Sequence, residues 1–307
     1  MSESMLSGVT KGKLKLPHLL LLYGIDGVGK SSFAAQAPSP IFLGPEKGTM
    51  NLDVARFPTP KSWKDVLMAV DELANVKHGF KTLAIDTLDW LEPLLYESIC
   101  KEYDVSNIEK AAGGYGKGYR EAYNKMVEFR HKLSFLREAK GMNIILLAHA
   151  KVNTFEDPTT DHGYSRYELK LQESNAVSMR SMWREYVDSV LFCNFETFST
   201  GEGKQARGVT TRERKMWTER DAGFDAKNRF ELPFEMPLDY AEYDRAVNAA
   251  PAVEAGDAQE ILHRINTLCV GIDKDLYEKV GTQLEKHQNN AAQLAKIEQR
   301  LQTKLGV

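Results

Sequence analysis

The sequence contains the stretch Gly24-Ile25-Asp26-Gly27-Val28-Gly29-Lys30-Ser31, which fits the phosphate-binding pattern G-x-x-x-x-G-K-[ST] at every fixed position. An apolar run, Leu19–Tyr23, precedes it as a buried strand would, and Ser32–Gln36 has the composition of a helix start. Glycines in such a loop let successive backbone N–H groups point at phosphate oxygens. The stretch therefore predicts a P-loop between a strand and a helix. A glycine-rich turn that matches by chance is the alternative, and the strand–loop–helix context argues against it.

The motif assigns chemical roles to its polar residues. We expect the loop from Gly24 to Ser31, together with Ser32, to bind the phosphates of ATP. Lys30 would reach the β- and γ-phosphates, and the hydroxyl of Ser31 would ligate Mg²⁺. ATP and Mg²⁺ are therefore the expected cofactors.

Composition excludes several classes of protein. The chain has 307 residues, 42% of them hydrophobic and 27% charged, as in an ordinary globular protein. Its net charge of −3 means that any nucleic-acid binding depends on local basic patches. The three cysteines are far apart and in no metal-ligand spacing, which is typical of free thiols in a reducing cytosol. No apolar run reaches the length of a membrane helix, and Met1–Lys15 has no signal-peptide core, so we expect a cytoplasmic protein without a membrane partner.

Two acidic residues follow short apolar runs that are typical of buried strands. Glu46 comes shortly after Ile41–Leu43, and Asp86 comes directly after Thr82–Ile85. In open α/β sheets, ligands bind at the carboxyl ends of the strands. An acid after an apolar strand is common by itself, but downstream of a P-loop it favours a Walker B aspartate, so we expect Asp86 to hold the Mg²⁺ shell. Asp89, one turn farther along, could support the Mg²⁺ ligands from behind or cap the following helix, and we prefer the cap.

A further buried strand is predicted at Asn143–His149, and His149 is its polar end. Two interpretations of this histidine stay open. It could contact the γ-phosphate of ATP as a sensor, because it lies at the carboxyl end of a strand. It could equally be a structural hydrogen-bonding residue.

Two later segments lack a clear helical or strand period. Gly113–Tyr119 combines glycines with two tyrosines and a lysine, which fits a mobile binding loop or a plain connection between helices. Lys151–Glu173 is predicted to be a long loop, and such a loop in a compact domain is usually functional or disordered.

The composition changes after about Leu238. A segment rich in alanine, proline and glycine precedes three amphipathic stripes, which predict a small bundle of helices without evident chemistry. We therefore divide the chain into a tail at residues 1–15, a core at 16–238, a linker at 239–258 and a C-terminal helical bundle at 259–307.

Strands that alternate with helices behind a P-loop predict an α/β fold, with a mostly parallel sheet covered by helices on both faces. Over Leu16–Leu238 the motifs resemble the RecA-like ATPase core, most closely the phage-encoded RecA-like ATP-binding proteins of single-strand annealing and recombination. The most distinctive match is Asp225-Ala226-Lys227-Asn228-Arg229-Phe230-Glu231-Leu232-Pro233, which looks like the A-K-N-R segment of that family. It is also similar to the lysine–x–arginine of hexameric RecA-like helicases and clock ATPases.

The resemblance implies further catalytic residues. Glu46 matches the place of the glutamate that activates the attacking water. Lys227 and Arg229 match cations that reach the γ-phosphate of the neighbouring subunit, which implies a homo-oligomer with ATP at the subunit interface. From the residues alone, cations on a loop are more often solvated or paired with neighbouring acids, here Asp221, Asp225 and Glu231.

The resemblance also implies two loops that bind single-stranded DNA, at Gly113–Tyr119 and Lys151–Lys170. Tyrosines there would stack on bases and cations would neutralise phosphates. The residues are Tyr115, Lys117, Tyr119, Lys151, Arg166 and Lys170. A single-strand-binding protein is a further candidate partner, and a phage-encoded protein would act in the host cytoplasm.

Two departures from the family pattern affect the functional hypotheses. Ala148-His149 stands where a RecA recombinase typically has Asn-Gln, and only a short tail precedes the first strand, where a recombinase would carry a polymerisation domain. The favoured hypothesis is a Mg²⁺-dependent, DNA-stimulated ATPase that oligomerises on single-stranded DNA and promotes annealing or homologous recombination. The alternatives are a motor like the ring helicases and a non-catalytic regulatory switch that responds to ATP.

Overall fold

The computed structural model describes residues 16–44, 48–156, 162–174, 177–200, 207–249 and 291–305, with a few single positions between 265 and 284. Two short 3₁₀ helices, Gly48–Asn51 and Ile108–Gly113, lie among the main elements. The strands are β1 (Leu19–Gly24), β2 (Pro40–Leu43), β3 (Ala55–Arg56), β4 (Thr82–Ile85), β5 (Asn143–Phe155), β6 (Tyr164–Leu169), β7 (Ser189–Thr200), β8 (Arg207–Trp217) and β9 (Glu235–Pro237). The α-helices are α1 (Lys30–Ala35), α2 (Trp63–Asn75), α3 (Leu88–Glu102), α4 (Lys117–Glu138), α5 (Met179–Tyr186), α6 (Tyr240–Asn248) and α7 (Ala291–Leu305).

The strands form one mixed sheet in the order β3-β2-β4-β5-β1-β7-β8-β9, with β6 paired to β5 outside this path. Strands β3, β2, β4, β5, β1 and β7 are parallel, whereas β8 and β9 extend the sheet through antiparallel pairs. The predicted α/β fold with a mostly parallel sheet is confirmed.

Strand β1 lies inside the sheet and is buried along its whole length. The side chains of Leu19 and Leu21 join the hydrophobic core beneath α2, α3, α4 and α5, and those of Leu20 and Leu22 join the core beneath α1 and α6. An unbroken apolar run is what a strand covered on both faces requires. Each buried leucine contributes about 1.5–3 kcal/mol, so β1 is a rigid support for the loop that follows it.

Helix α2 begins at Trp63, directly after a capping serine. Ser62 is the N-cap, and its hydroxyl accepts a hydrogen bond from the backbone N–H of Asp65 at 3.3 Å. Capping of this kind stabilises a helix by about 1 kcal/mol. The apolar stripe of the helix, which includes Trp63, Val66 and Val70, is buried against the sheet.

The segment Lys151–Glu173 differs from its prediction. It is not a featureless loop, because β5 continues to Phe155 and pairs in an antiparallel ladder with β6. The burial along this part of β5 alternates between exposed and half-buried residues, as in a strand with one covered face. The hairpin formed by these residues starts at the carboxyl end of the parallel sheet, where β5 leaves its pairing with β1.

The C-terminal region is described in part. Helix α6 occupies the beginning of the predicted linker, and Tyr243 of this helix is buried against the sheet. In α7, the guanidinium of Arg300 contacts the carboxylate of Glu219, which belongs to the segment 16–238. Within the described residues, none of the helices is both long and apolar enough to cross a membrane.

Candidate functional site

The P-loop leaves β1 at the carboxyl edge of the sheet. Gly24 ends the strand and is level with His149 of β5 on one side and Cys193 of β7 on the other. Gly27 and Gly29 have φ values of 72° and 110°, which side chains rarely adopt, and Gly29 is the N-cap of α1. The glycines of the motif therefore stand where the backbone conformation requires them.

The lysine of the motif lies over this loop. The side chain of Lys30 is buried, and its ammonium donates hydrogen bonds to the carbonyl oxygens of Gly24 at 3.2 Å and Ile25 at 3.0 Å. These bonds hold the positive charge within the loop. A cation fixed in this place suits the phosphate chain that a P-loop binds.

The predicted Mg²⁺ ligands meet at the end of β4. The Ser31 hydroxyl donates a hydrogen bond to Oδ2 of the buried Asp86 at 2.7 Å. A serine hydroxyl beside a carboxylate fits Mg²⁺, which typically takes one or two such protein ligands and fills its shell with phosphate oxygens and water. Gly44, at the end of β2, allows this packing, because a methyl group on it would lie 1.8 Å from the carbonyl oxygen of Asp86.

His149 is held between α3 and the P-loop. Its Nδ1 lies 2.8 Å from Oδ2 of Asp89, and its backbone N–H donates to Oδ1 of the same carboxylate at 3.0 Å. Its Nε2 lies 3.3 Å from Oδ1 of Asp26 in the P-loop. Burial alone would raise the pKa of Asp89, but the hydrogen bonds from His149 outweigh it and hold that pKa below its ordinary value.

These contacts correct the interpretation of Asp89 as a helix cap. Its carboxylate accepts hydrogen bonds from His149 instead, 60 residues farther along the chain. The only sequence signal for this role was the place of Asp89 in the first turn of the helix that follows β4. Its partner could not be identified without the pairing of β4 with β5.

Glu46 lies outside the described residues. The chain on either side of its segment borders a small cavity beside Asp86, which is lined by Gly44, Thr49 and Arg56 among others. The role of Glu46 in activating water therefore stays a prediction.

Lys227 and Arg229 lie near the amino ends of the parallel strands, whereas the P-loop of the same subunit lies at their carboxyl ends. The backbone of Lys227 pairs with Val190 near the start of β7, and Arg229 Nη1 lies 3.1 Å from Oδ1 of Asp188. Asp188 is distant in sequence and is not one of the neighbouring acids considered above. It also pairs with Arg137. Burial, followed by the charge of Arg229, lowers the pKa of Lys227. The side chain of Arg229 is 58% exposed.

The segment Gly113–Tyr119 includes the start of α4. Tyr115 is 99% exposed and has a φ of 54°, and Lys117 is also exposed. Tyr119 differs from the prediction of a base-stacking residue, because it is half-buried in the core with its ring edge-on to Tyr96 at 5.8 Å. Tyr115 and Lys117 are therefore the accessible candidates in this segment.

The first turns of α4 extend past the carboxyl edge of the sheet. A short turn joins α4 to β5, so the helix runs back alongside the strand. Its 22 residues span about 33 Å, whereas the six residues of β5 that pair with β1 span about 20 Å. This places Tyr115 and Lys117 at the same end of the molecule as the P-loop.

In the β5–β6 hairpin, the three predicted DNA-contacting cations have different surroundings. Lys170 is exposed and Lys151 is half-buried. Arg166 is only 4% exposed, because its guanidinium pairs with Asp225 at 3.2 Å and lies 4.7 Å from the centroid of the Phe155 ring. The prediction that Arg166 contacts DNA is therefore wrong for this conformation, since its charge is already used inside the protein.

Comparison with known proteins gives relatives of limited similarity. The "SPbeta prophage-derived uncharacterized protein YorG" of Bacillus subtilis (strain 168) is 25% identical over 136 residues, which are 43% of this chain and 41% of that protein. The chain thus spans less than half the length of that relative. Among solved structures, the "Crystal structure of the RadB recombinase" matches 67% of this chain and 82% of its own, with 13% identity and a TM-score of 0.38.

A family model matches most of the chain. Residues 17–230 fit the AAA_24 family, described as an AAA domain, and this range holds the P-loop, Asp86 and His149. The match extends over well more than half of the sequence, and the geometry of Lys30, Ser31 and Asp86 agrees with it. The chain therefore belongs to the AAA_24 family and is a P-loop ATPase.

Proposed function

We propose that this P-loop ATPase hydrolyses ATP with Mg²⁺, assembles into a homo-oligomer and binds single-stranded DNA to promote annealing or recombination. The observation that carries the enzymatic part is the contact between Ser31 and Asp86 at 2.7 Å, beside the ammonium of Lys30. A hydroxyl, a carboxylate and a cation at the carboxyl edge of a parallel sheet are the set that nucleotide hydrolysis needs.

Each residue of the site has a distinct role in this proposal. Lys30 and the amides of the P-loop bind the phosphate chain, and Ser31 and Asp86 hold Mg²⁺. Bound Mg²⁺ would neutralise phosphate charge and orient the terminal phosphoryl group. Glu46 would accept a proton from the attacking water or orient it, and it would not be needed to bind the nucleotide.

The DNA-binding part is supported by solvent-accessible aromatic and basic side chains at the same end of the molecule as the P-loop. The start of α4 offers Tyr115 and Lys117, and the β5–β6 hairpin offers Lys151 and Lys170. An exposed aromatic ring flanked by cations is the composition of a surface that stacks bases and neutralises phosphates without reading sequence. With Tyr119 and Arg166 removed from the six predicted residues, the proposed interface depends on four.

Contacts of His149 support communication between ATP and this surface. Its imidazole lies beside Asp26 of the P-loop, and its carbonyl oxygen accepts a hydrogen bond from the backbone N–H of Lys170 at 2.9 Å. A shift of the P-loop on nucleotide binding would therefore move a group that contacts the base of the hairpin. We propose this as the path by which DNA and ATP affect each other's binding.

The biological setting of the proposal comes from the relative in Bacillus subtilis, which is described as prophage-derived. A phage protein of this kind would act in the host cytoplasm during replication or repair of phage DNA. A single-strand-binding protein is a natural partner there, because it occupies the same substrate.

The proposal is tested by measuring steady-state ATP hydrolysis with and without single-stranded DNA, in the wild-type protein and in Lys30→Ala. Loss of a charge-assisted contact costs about 1.5–3 kcal/mol, so Lys30→Ala should bind ATP at least tenfold more weakly and lose turnover. Normal hydrolysis by Lys30→Ala would refute the proposed site.

The same assay distinguishes the other functions. Wild-type protein that hydrolyses ATP at a rate unaffected by DNA, and that binds no DNA at low salt, would favour a regulatory switch. Unwinding of a forked duplex, with movement along one strand, would favour a motor of the helicase kind. Annealing of complementary strands without unwinding is the outcome that the proposal requires.

A further inference from the structure

Arg214 lies in β8 at the level of the P-loop. The strands β1, β7 and β8 are in register here, because Gly24 pairs with Cys193 and Cys193 pairs with Met216. Arg214 precedes Met216 by two residues in a strand that runs antiparallel to β7, and it pairs with Phe195. It therefore lies just past the point where β1 ends and the P-loop begins.

The side chain of Arg214 is on the same face of the sheet as α1. Thr211 and Lys215 both contact Glu196 and so mark the other face, whereas Met216 joins the core beneath α1. Arg214 alternates with Lys215 and so shares the face of Met216. The guanidinium reaches the loop itself, because a methyl group placed on Gly29 would lie 3.1 Å from Nη1 of Arg214 and 3.6 Å from its Cζ.

The charge of Arg214 has no counter-ion among the described residues. Lys215, its neighbour in sequence, pairs with Glu196 at 2.6 Å and Glu235 at 3.0 Å. The guanidinium of Arg214 is exposed and makes neither an ion pair nor a hydrogen bond within the described part of the chain. An arginine held against a phosphate-binding loop without an acid partner is suited to bind an anion there.

We propose that Arg214 binds the phosphate chain of the nucleotide held by the P-loop of the same subunit. This inference rests on the proposed binding of ATP by that loop. It adds a second cation to Lys30, and it differs from the proposed role of Arg229, which would act on a neighbouring subunit. The planar fork of the guanidinium can donate two parallel hydrogen bonds to phosphate oxygens.

The test is calorimetric titration of ATP and of inorganic pyrophosphate into four proteins: wild type, Arg214→Ala, Arg214→Lys and Arg212→Ala. Arg212 is the matched control, because it is exposed in the same strand and lies two residues farther past the sheet edge. Arg214→Ala should weaken binding of both ligands by about tenfold or more, with a smaller loss for Arg214→Lys and none for Arg212→Ala. Circular dichroism should show the same thermal midpoint for all four proteins.

Two results would overturn the inference. One is Arg214→Ala binding both ligands as tightly as Arg212→Ala does. The other is a loss of affinity for ATP without any loss for pyrophosphate, which would mean that Arg214 contacts the nucleoside part of ATP instead of its phosphates. Lys30→Ala, titrated in parallel, separates the two proposals. If Lys30→Ala binds ATP normally, the proposed ATP site itself is wrong. If Lys30→Ala binds ATP weakly and Arg214→Ala binds it normally, only the role of Arg214 is refuted.

Discussion

Replacement of Arg229 by alanine tests whether two subunits complete one active site. Asp188, the partner of Arg229, donates its backbone N–H to the carbonyl oxygen of Leu19 at 2.9 Å. Leu19 is the first residue of β1 and Gly24 is the last. At about 3.3 Å per residue, these two positions are roughly 16 Å apart, which is farther than an arginine side chain reaches. Arg229 therefore cannot contact the nucleotide of its own subunit in this conformation.

The expected effect of Arg229→Ala on stability is small. The side chain is more than half exposed, and Asp188 keeps its contact with Arg137 after the substitution. Exposed ion pairs contribute about 0–1 kcal/mol, which lowers the thermal midpoint by at most a few degrees. An arginine that stabilises charge on a transferred phosphoryl group contributes about 10³–10⁵ in rate. A fall in turnover of that size without unfolding would therefore report a catalytic contact.

The assay mixes Arg229→Ala with Lys30→Ala protein. Each variant should be inactive alone, because the first lacks the arginine and the second lacks the P-loop lysine. In randomly mixed oligomers with head-to-tail interfaces, about one quarter of the interfaces join an intact P-loop to an intact arginine. We therefore expect about a quarter of the wild-type ATPase activity to return on mixing. Arg245→Ala is the matched control, since Arg245 is an exposed arginine paired with Glu242 and should leave activity unchanged.

Two outcomes would refute the reasoning about Arg229. Full activity of Arg229→Ala would show that the side chain is not needed for hydrolysis. Failure of the mixture to recover activity, when affinity purification of one tagged variant shows that the two variants form joint oligomers, would show that the site is not shared. In either case the ATPase would be complete within one subunit, and the oligomeric annealing function would lose its main support.

Three further predictions concern individual side chains. Glu46→Gln should keep the affinity for ATP, measured by titration, and lose most of kcat; a joint loss of both would make Glu46 structural. Tyr115→Ala should weaken binding of single-stranded DNA by about 1–3 kcal/mol in a fluorescence anisotropy titration, whereas the control Tyr103→Ala should not, and equal losses would contradict stacking by Tyr115. Burial, opposed by the Gln172 N–H, raises the pKa of Glu92 from 4.5 to about 7. The protonated form of Glu92 is favoured in the folded state. Its contribution to the free energy of unfolding is therefore complete below pH 4.5 and is lost as the pH rises through 7. As the pH rises from 5 to 8, the free energy of unfolding of Glu92→Gln should therefore increase relative to that of wild type by up to roughly 3 kcal/mol. A difference in thermal midpoint between the two proteins that does not change with pH would refute this.

The nucleotide site was largely predictable because its signals are local. A P-loop needs particular residues at particular spacings, and an aspartate directly after an apolar strand is brought to the same edge by parallel pairing. The contact between Ser31 and Asp86 follows from these two facts. Neither required knowledge of residues elsewhere in the chain.

The β5–β6 hairpin was missed because its stability depends on a partner strand. Residues 151–155 have the polar composition of a loop, and their pairing with Tyr164–Leu169 becomes visible only when the two segments are placed side by side. Strand propensity largely reflects packing against neighbours, so a half-exposed hairpin gives a weak signal. The partner of Arg166 illustrates the same limit, since Asp225 lies far along the chain.

The location of cations in the sequence also says little about whether their charge is available. Arg166 and Lys170 are both in the segment that the resemblance assigned to DNA, but one is buried against Asp225 and the other is exposed. Arg214 had no motif around it, and still its guanidinium lies against Gly29 without an acid among the described residues. A cation whose charge is already neutralised by an ion pair has little attraction left for a phosphate. The ion-pair partners fixed by the fold, rather than the number of basic residues in a loop, therefore decide which of these side chains can meet ATP or DNA.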